Sequence, residues 1–428
     1  MKKFIILITT FLFLISTFNI CVYAKTSPPR VEADGAILMD AATGKILYSK
    51  NINTAYPPAS TTKILTALLT LEKCKLTDVV TVGYNPPRVD GNRIGIMEGE
   101  KLTVKDLLYG LILLSGNDCA EALAEHVGGS LDGFSVMMNE KAKELGAANT
   151  NFVNPSGLYN PNHKSSALDM ALILKELSKN QDFITIATTL SYKTEATTQH
   201  PNGIELYNEN KMICKDSKFY YDGAQIGKNG YTVDSLHSYV ATAKRGNQEL
   251  ILILLHSANK ANGYYQHYID AAAVLNYGFD NFDLVQLYKK DDVVSTCKLS
   301  KTTEPLLAAE DYFYVREKGC TDTPTMNLAN NSIGNTPFSK GDVISSADFS
   351  FNGEKLTPLK LVSGTDYKLS KNVKNVKVAS EINKNTNHSS LNFIKFIFGF
   401  ILLSVALFIL GRIYIKTKNR KRTKYNLE

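Results

Sequence analysis

The chain has 428 residues, 44% hydrophobic and 21% charged, with no Trp, and its 48 Lys+Arg against 41 Asp+Glu give a formal net charge of +7. That apolar fraction excludes a wholly disordered chain, and 27 Gly with 13 Pro exclude a collagen-like or low-complexity one. The length predicts two or three domains of ordinary size, and the charge raises the question of where the cations sit.

The N-terminus opens Met1-Lys2-Lys3, continues as an apolar run over 4–20, and reaches Val22-Tyr23-Ala24 before Lys25. A short basic start, an apolar stretch and a small residue before polar sequence predict a secretory signal over 1–24. The alternative is a permanent N-terminal anchor. A lipoprotein site at Cys21 fits less well, because Phe18-Asn19-Ile20 lacks the small residues it needs.

Two strands are expected next, at 35–40 and 45–48, joined by the turn Ala42-Thr43-Gly44. From Ser60 to about Glu72, Ile64, Leu65, Ala67, Leu68 and Leu71 recur at helical spacing. Further helices are expected at 104–114, 118–127, 131–145 and 166–177. Strand-like runs at 237–243 and 250–255 flank the turn Lys244-Arg245-Gly246-Asn247, and a last helix over 264–277 meets Gly278, a good C-cap residue. This order predicts an α/β domain with a largely antiparallel sheet over 25–281. From 282 to 370, short β-branched runs at 284–287, 293–297 and 312–315 alternate with turns and predict a small all-β domain.

Residues 371–392 form a polar stretch rich in Lys, Asn and Ser, suited to a stalk. Within a membrane helix expected over 393–415, the apolar stretch Phe396 to Ile415, interrupted only by Arg412, is long enough to span a bilayer, about 30 Å at roughly 1.5 Å per residue. Seven cations and Glu428 fill 412–428, and such a cluster belongs in the cytoplasm. The signal thus holds +2 and this end +6, which leaves −1 for 25–411. No general basic character remains to support nucleic-acid binding.

Six cysteines, Cys21, Cys74, Cys119, Cys214, Cys297 and Cys320, become five once a signal is removed, too sparse and odd a set for a disulfide framework. No Cys-x-x-Cys or His/Cys cluster predicts a metal, and no cofactor is expected.

Three motifs carry chemistry. In Pro57-Pro58-Ala59-Ser60-Thr61-Thr62-Lys63, Ser60 and Lys63 stand three apart and share a helix face. A Ser hydroxyl is a poor nucleophile unless a neighbour takes its proton, which a Lys of depressed pKa can do. The bland alternative is a Ser N-cap with a solvated Lys, and Ser257/Lys260 repeats the spacing. In Leu113-Leu114-Ser115-Gly116-Asn117-Asp118, Ser115 and Asn117 could relay a proton and hold an amide, or simply cap the next helix. In Ile226-Gly227-Lys228-Asn229-Gly230-Tyr231-Thr232, Lys228 could bind a carboxylate beside an extended segment able to pair with a substrate, or be a solvated turn residue.

S-x-x-K, S-x-N and K-x-G in this order form the motif triad of penicillin-binding proteins and class A β-lactamases. With Ile37-Leu38-Met39-Asp40, Thr43-Gly44-Lys45, Asn151-Phe-Val-Asn-Pro-Ser-Gly-Leu158, His163, Asp169-Met170-Ala171 and Val240-Ala-Thr-Ala-Lys-Arg245, the chain resembles the serine D-Ala-D-Ala carboxypeptidases, low-mass penicillin-binding proteins of the S11 peptidase family, from about 31 to 279. The region after 282 resembles that family's second domain more loosely.

The resemblance implies a transpeptidase-like fold and a peptidoglycan-trimming enzyme at the outer face of the membrane. Ser60 would be acylated by the penultimate D-Ala of a stem peptide, with Lys63 as general base and Ser115 and Asn117 relaying protons and orienting the peptide. Lys228, Asn229, Gly230 and Tyr231 would hold substrate, and the N–H groups of Ser60 and Tyr231 would form the oxyanion hole. β-Lactams would acylate the same serine. Two departures stand out: Asn229 replaces the family's Thr, and no Arg occurs near Leu254-Leu255-His256-Ser257-Ala258, where the family commonly has one. A weakened, wall-binding relative or a D,D-endopeptidase is the alternative; a β-lactamase would need a deacylating carboxylate that sequence alone does not place.

Overall fold

A computed structural model describes residues 27–261, 265–299, 302–328 and 337–368. The expected signal, stalk, membrane helix and tail lie outside the described residues, and among the described ones no helix is long and apolar enough to cross a membrane. Two compact units are present. The first holds the described residues up to Lys290 with Glu310–Asn327 and Asp348–Leu359; the second holds Asp291–Ala309, Leu328–Ala347 and the described residues from Lys360.

The labelled elements of the first unit are β1 (Gly35–Asp40), β2 (Ile46–Lys50), α1 (Lys63–Lys73), α2 (Val104–Leu113), α3 (Asn117–Gly128), α4 (Leu131–Glu144), α5 (Ala167–Leu177), α6 (Gln181–Thr188), β3 (Ala224–Thr232), β4 (Leu236–Arg245), β5 (Gln248–Ser257) and α7 (Gln266–Asn281). Sequence reading missed α6, a two-turn helix capped by Asn180, and named β3 only as an extended segment. The five strands form one antiparallel sheet in the order β2-β1-β5-β4-β3.

All six positions of β1 are buried, so its apolar run does not alternate with polar residues as a half-exposed strand would. The period of two still sorts its side chains. Ile37 and Met39 join Ile251 and Ile253 in the core beneath α1 to α6, whereas Ala36 and Leu38 join Leu252 and Leu254 in a second core under α7. The result is an α/β sandwich with a helical cluster on one face and a single helix on the other.

Gly278 does not end the last helix. α7 continues to Asn281, and Gly278 lies inside it where a Cβ would stand 2.5 Å from Leu38 Cδ2 and 2.7 Å from Leu250 Cδ1. The glycine lets the helix approach the sheet closely. Gly278→Ala therefore forces both leucines to shift, which costs about 1–3 kcal/mol and outweighs the ~1 kcal/mol gained in helix propensity. A lowered urea midpoint at unchanged m-value is expected; an unchanged or raised midpoint would refute the packing argument.

The first unit also contains β6 (Phe282–Tyr288), paired antiparallel with the later strand at Tyr312–Glu317. In the second unit, β7 (Val293–Leu299) pairs antiparallel with β8 (Thr302–Ala308). All three runs expected in this region are thus strands. The transpeptidase-like α/β fold is followed by a C-terminal β region.

Candidate functional site

Ser60 sits on a 3₁₀ turn, Ala59–Thr62, that runs directly into α1. Three residues per turn eclipse positions i and i+3, and Lys63 Nζ accordingly stands 2.9 Å from Ser60 Oγ. The Ser60 hydroxyl is not spent on capping: Pro58 occupies the N-cap of the turn and no side chain caps it. Ala59 enters the turn at φ +50°.

Lys63 is fully buried, and its Nζ contacts two carbonyl oxygens besides Ser60: Asn117 Oδ1 at 2.7 Å and Ser156 O at 2.8 Å. Burial, and after it the charge of Lys228, holds the Lys63 amine well below the usual lysine range.

Ser115 and Asn117 occupy the break between α2 and α3. Ser115 has φ +59° and is 3% exposed. Neither residue caps α3, whose N-cap is Gly116 without a side-chain bond. Asn117 instead bridges: Oδ1 accepts from Lys63 and Nδ2 donates to Asp90 O at 2.6 Å. The next residue, Asp118, accepts from the N–H groups of Ile94, Gly95 and Ile96 and ties their loop to the helix start.

The third motif lies on β3, in register with β4 through Asn229 opposite Tyr239 and Tyr231 opposite His237. Lys228 is buried, donates to Asn229 O at 2.9 Å, and has its pKa pushed down to about 8 by burial, partly offset by Glu209. Asn229 Nδ2 donates to Tyr268 Oη at 2.7 Å. At Gly230 the strand passes so close to the nucleophile turn that a Cβ would stand 2.8 Å from Ser60 N. Tyr231 is half-exposed and packs on His237 with ring centres 4.4 Å apart.

Ser60, Ser115, Asn117, Asn229, Gly230 and Tyr231 line one cleft of about 480 Å³, with Lys63 and Lys228 buried behind its wall. The structure thus brings all eight expected site residues together. A larger cavity of about 800 Å³ elsewhere, lined by Thr43, Lys45 and Tyr312 among others, contains none of them. No Arg lines the cleft among the described residues. His256, in the region where one was sought, instead contacts Asp34 Oδ2 through Nδ1 at 2.6 Å and stacks on Tyr56.

Sequence reading gave no role to several groups at this site. The carbonyls of Ser156 and Asp90 orient Lys63 and Asn117, and a backbone oxygen has no signature in a sequence. His163 accepts from Val153 N at Nδ1, so Nε2–H donates to Thr62 Oγ1 at 2.8 Å and braces the nucleophile turn; burial pushes its pKa down to about 4. Glu209, His267 and Tyr268 also line the cleft. His267 and Tyr268 read in sequence only as parts of a helix.

Residues 23–259 match the family described as Peptidase_S11, D-alanyl-D-alanine carboxypeptidase, and 282–369 match the penicillin-binding protein 5 C-terminal domain. The D-alanyl-D-alanine carboxypeptidase DacF of Bacillus subtilis is 33% identical over 355 residues, 80% of this chain and 88% of that protein. DacC of Escherichia coli is 31% identical over 83% of this chain and 89% of its own length. Among solved structures, penicillin-binding protein 5 of Haemophilus influenzae aligns with TM-score 0.67 at 27% identity, covering 80% of this chain and 99% of that one.

Proposed function

The chain belongs to the Peptidase S11 family of D-alanyl-D-alanine carboxypeptidases, and on that premise we propose that Ser60 attacks the penultimate D-Ala carbonyl of a peptidoglycan stem peptide with Lys63 as its base. One observation carries this reading: the buried Lys63 amine has three neighbours, and two of them are carbonyl oxygens. A neutral amine has two N–H donors and one lone pair. With Asn117 Oδ1 and Ser156 O taking the two protons, the lone pair is left for the Ser60 hydroxyl.

The steps follow from that arrangement. Ser60 Oγ–H passes its proton to Lys63 Nζ as Oγ bonds to the carbonyl carbon. The oxyanion is held by the N–H groups of Ser60 and Tyr231, a contribution of about 3–4 kcal/mol per donor. The C–N bond breaks, and D-Ala leaves with a proton delivered through Ser115. Water then hydrolyses the ester on Ser60. A β-lactam enters the same step but leaves a slowly hydrolysed acyl-enzyme.

Mass spectrometry after incubation with penicillin tests the assignment: a penicilloyl adduct on the peptide containing Ser60 is expected. An adduct elsewhere, or none, overturns it, and absence of any adduct would favour a wall-binding relative. Lys228 supplies a pH signature. Its ammonium, charged below about pH 8 and neutral above, attracts the substrate or β-lactam carboxylate. Ser60 acylation by penicillin should fall by about fivefold as pH rises through 8, a fall that Lys228→Met removes. A rate climbing steadily through pH 9 would refute it.

The proposed layout is a signal over 1–24, a catalytic domain over 25–281, a β domain over 282–370, a stalk over 371–392, a membrane helix over 393–415 and a cytoplasmic tail over 416–428. Sequence supports it through the apolar run from Phe396 to Ile415, broken only by Arg412 near its end, and the cations that follow. The catalytic domain would then face the wall.

A further inference from the structure

The cavity of about 800 Å³ shares no residue with the Ser60 cleft, and all of its lining belongs to the first unit. Three runs of successive residues border it, 42–46, 310–317 and 354–358. A strand that turned one face to a cavity would contribute every second residue, whereas all six residues of Tyr312–Glu317 take part. That strand pairs with β6 in a sheet of two, so its far edge has no strand beside it among the described residues. The wall is well held. Tyr312 packs on Phe349 and Tyr314 on Phe351, and Tyr312 Oη donates to Thr357 O at 2.6 Å.

The charges divide by depth. The lining carboxylates Glu310, Asp311, Glu317 and Glu354 are exposed, and Glu354 is paired with Lys45. Lys175 and Arg316 are half-buried, and neither makes a hydrogen bond or ion pair with a described residue. Asp283 stands opposite Arg316 in the strand register and Asp40 acts on Lys175 electrostatically, yet neither carboxylate pairs with its neighbour. Both charged ends are open to solvent, because Arg316 Nε is the one nitrogen of the two side chains that is sealed. Lys175 Nζ stands against Gly44 of the lining, where a Cβ would come 3.1 Å from it. Burial, and then the charge of Lys179, holds this amine below the usual lysine range, as an ammonium without a counter-ion requires. Half-buried cations are costly unless paired, so two in one cavity point to an anion that pairs them.

We infer that this cavity is a second, non-catalytic site for an extended acidic peptide, and that its occupant is a stem peptide already trimmed at Ser60. The open strand edge pairs with the peptide backbone, and Lys175 and Arg316 take its carboxylates in charge-assisted bonds. A trimmed stem such as L-Ala-γ-D-Glu-L-Lys-D-Ala offers two carboxylates for the two cations, and its lysine amine suits the exposed acids at the rim. It has no D-Ala-D-Ala bond left to cleave, so binding it is retention. Holding one trimmed stem raises the effective concentration of its uncut neighbours at Ser60. The identity of the occupant rests on the acyl-serine reading; the anion site itself does not.

The test titrates that tetrapeptide into the full chain in detergent by calorimetry, with Ser60 blocked by penicillin so that the cleft is closed to peptide. Saturable binding of one tetrapeptide is expected. Lys175→Met and Arg316→Gln should each weaken it about tenfold, with retained penicillin labelling of Ser60 showing an intact fold. The same peptide with both carboxyls amidated should bind the unmodified chain at least tenfold more weakly, a comparison that needs no variant. With Ser60 labelled normally, absence of binding, equal binding of the diamide or undiminished binding by both variants overturns this inference alone. Tighter binding of a glycerol phosphate oligomer than of the tetrapeptide overturns it too, and would assign the cavity to a phosphate polymer. Failure of penicillin to label Ser60 overturns the acyl-serine reading, while the diamide and the two variants still decide whether the cavity binds a carboxylate peptide.

Discussion

Lys63→Arg should lower the rate constant for acylation of Ser60 by penicillin by about 10³-fold or more, within the range general-base removal usually costs. The substitution keeps the positive charge and much of the length, so it separates a base from a mere cation. Arg is not deprotonated in proteins. Its guanidinium also brings five N–H donors to a buried space where Nζ meets three oxygens, Ser60 Oγ, Asn117 Oδ1 and Ser156 O, and it would remain charged beside Lys228. The pH profile sharpens the test. In the native enzyme, acylation should rise with pH as Lys63 loses its proton, with a midpoint well below the usual lysine value of 10.5. Lys63→Arg should lack that limb. A variant that acylates within tenfold of the native rate, with the limb intact, would remove Lys63 from the base role.

The same depressed pKa has a cost in stability. The unfolded chain holds the Lys63 proton up to its ordinary value, while the folded chain gives it up at lower pH. The unfolded state therefore binds more protons between the two values, and this residue's penalty shrinks as pH rises toward 10.5. Holding a neutral base at working pH thus works against folding, a trade common at active sites.

What the sequence could reveal of this site follows the range of the interactions. Ser60 and Lys63 are three residues apart on one turn, so their contact is local and spacing alone predicts it. Asn117 lies 54 residues beyond Lys63 and Ser156 lies 93 beyond it, and only the folded sheet and helices bring them to one amine. Gly278 shows the limit from the other side. A glycine after an apolar helical run reads as a cap, and its actual reason is the closeness of Leu38 and Leu250, some 240 and 28 residues back along the chain. Asn229 was visible as a departure from Lys-Thr-Gly. Its partner, the hydroxyl of Tyr268, lies 39 residues later and is brought to it only by the fold. The sheet was legible because β-runs and turns are local; α6 was missed because two turns give periodicity little room.

Gly230→Ala should cost about 10²-fold in acylation rate while leaving the fold largely intact, and Gly157→Ala should lose activity and stability together. Both glycines press on the turn that carries Ser60, from different elements. At Gly230 on β3, a Cβ would stand 2.8 Å from Ser60 N, 2.9 Å from Ala59 Cβ and 3.1 Å from Pro58 O. The proposed oxyanion donors are Ser60 N and Tyr231 N, so a methyl between strand and turn changes the distance on which they depend. Displacing one such donor generally costs about 10²–10³-fold in rate. The cost to folding is smaller, because β3 is the last strand in the order β2-β1-β5-β4-β3 and has a free edge among the sheet strands along which to shift. Gly157 has no such freedom. Its φ is +83°, and a Cβ would stand 1.8 Å from the Ala59 carbonyl oxygen, so backbone strain of about 1 kcal/mol adds to a clash between main chains. The neighbouring Ser156 carbonyl holds Lys63, so any retreat of that loop also releases the base. Thermal melts and penicillin acylation rates measured on the two variants decide the matter. Equal losses of stability, or native acylation by Gly230→Ala, would show that strand and turn are not held at the separation that catalysis requires.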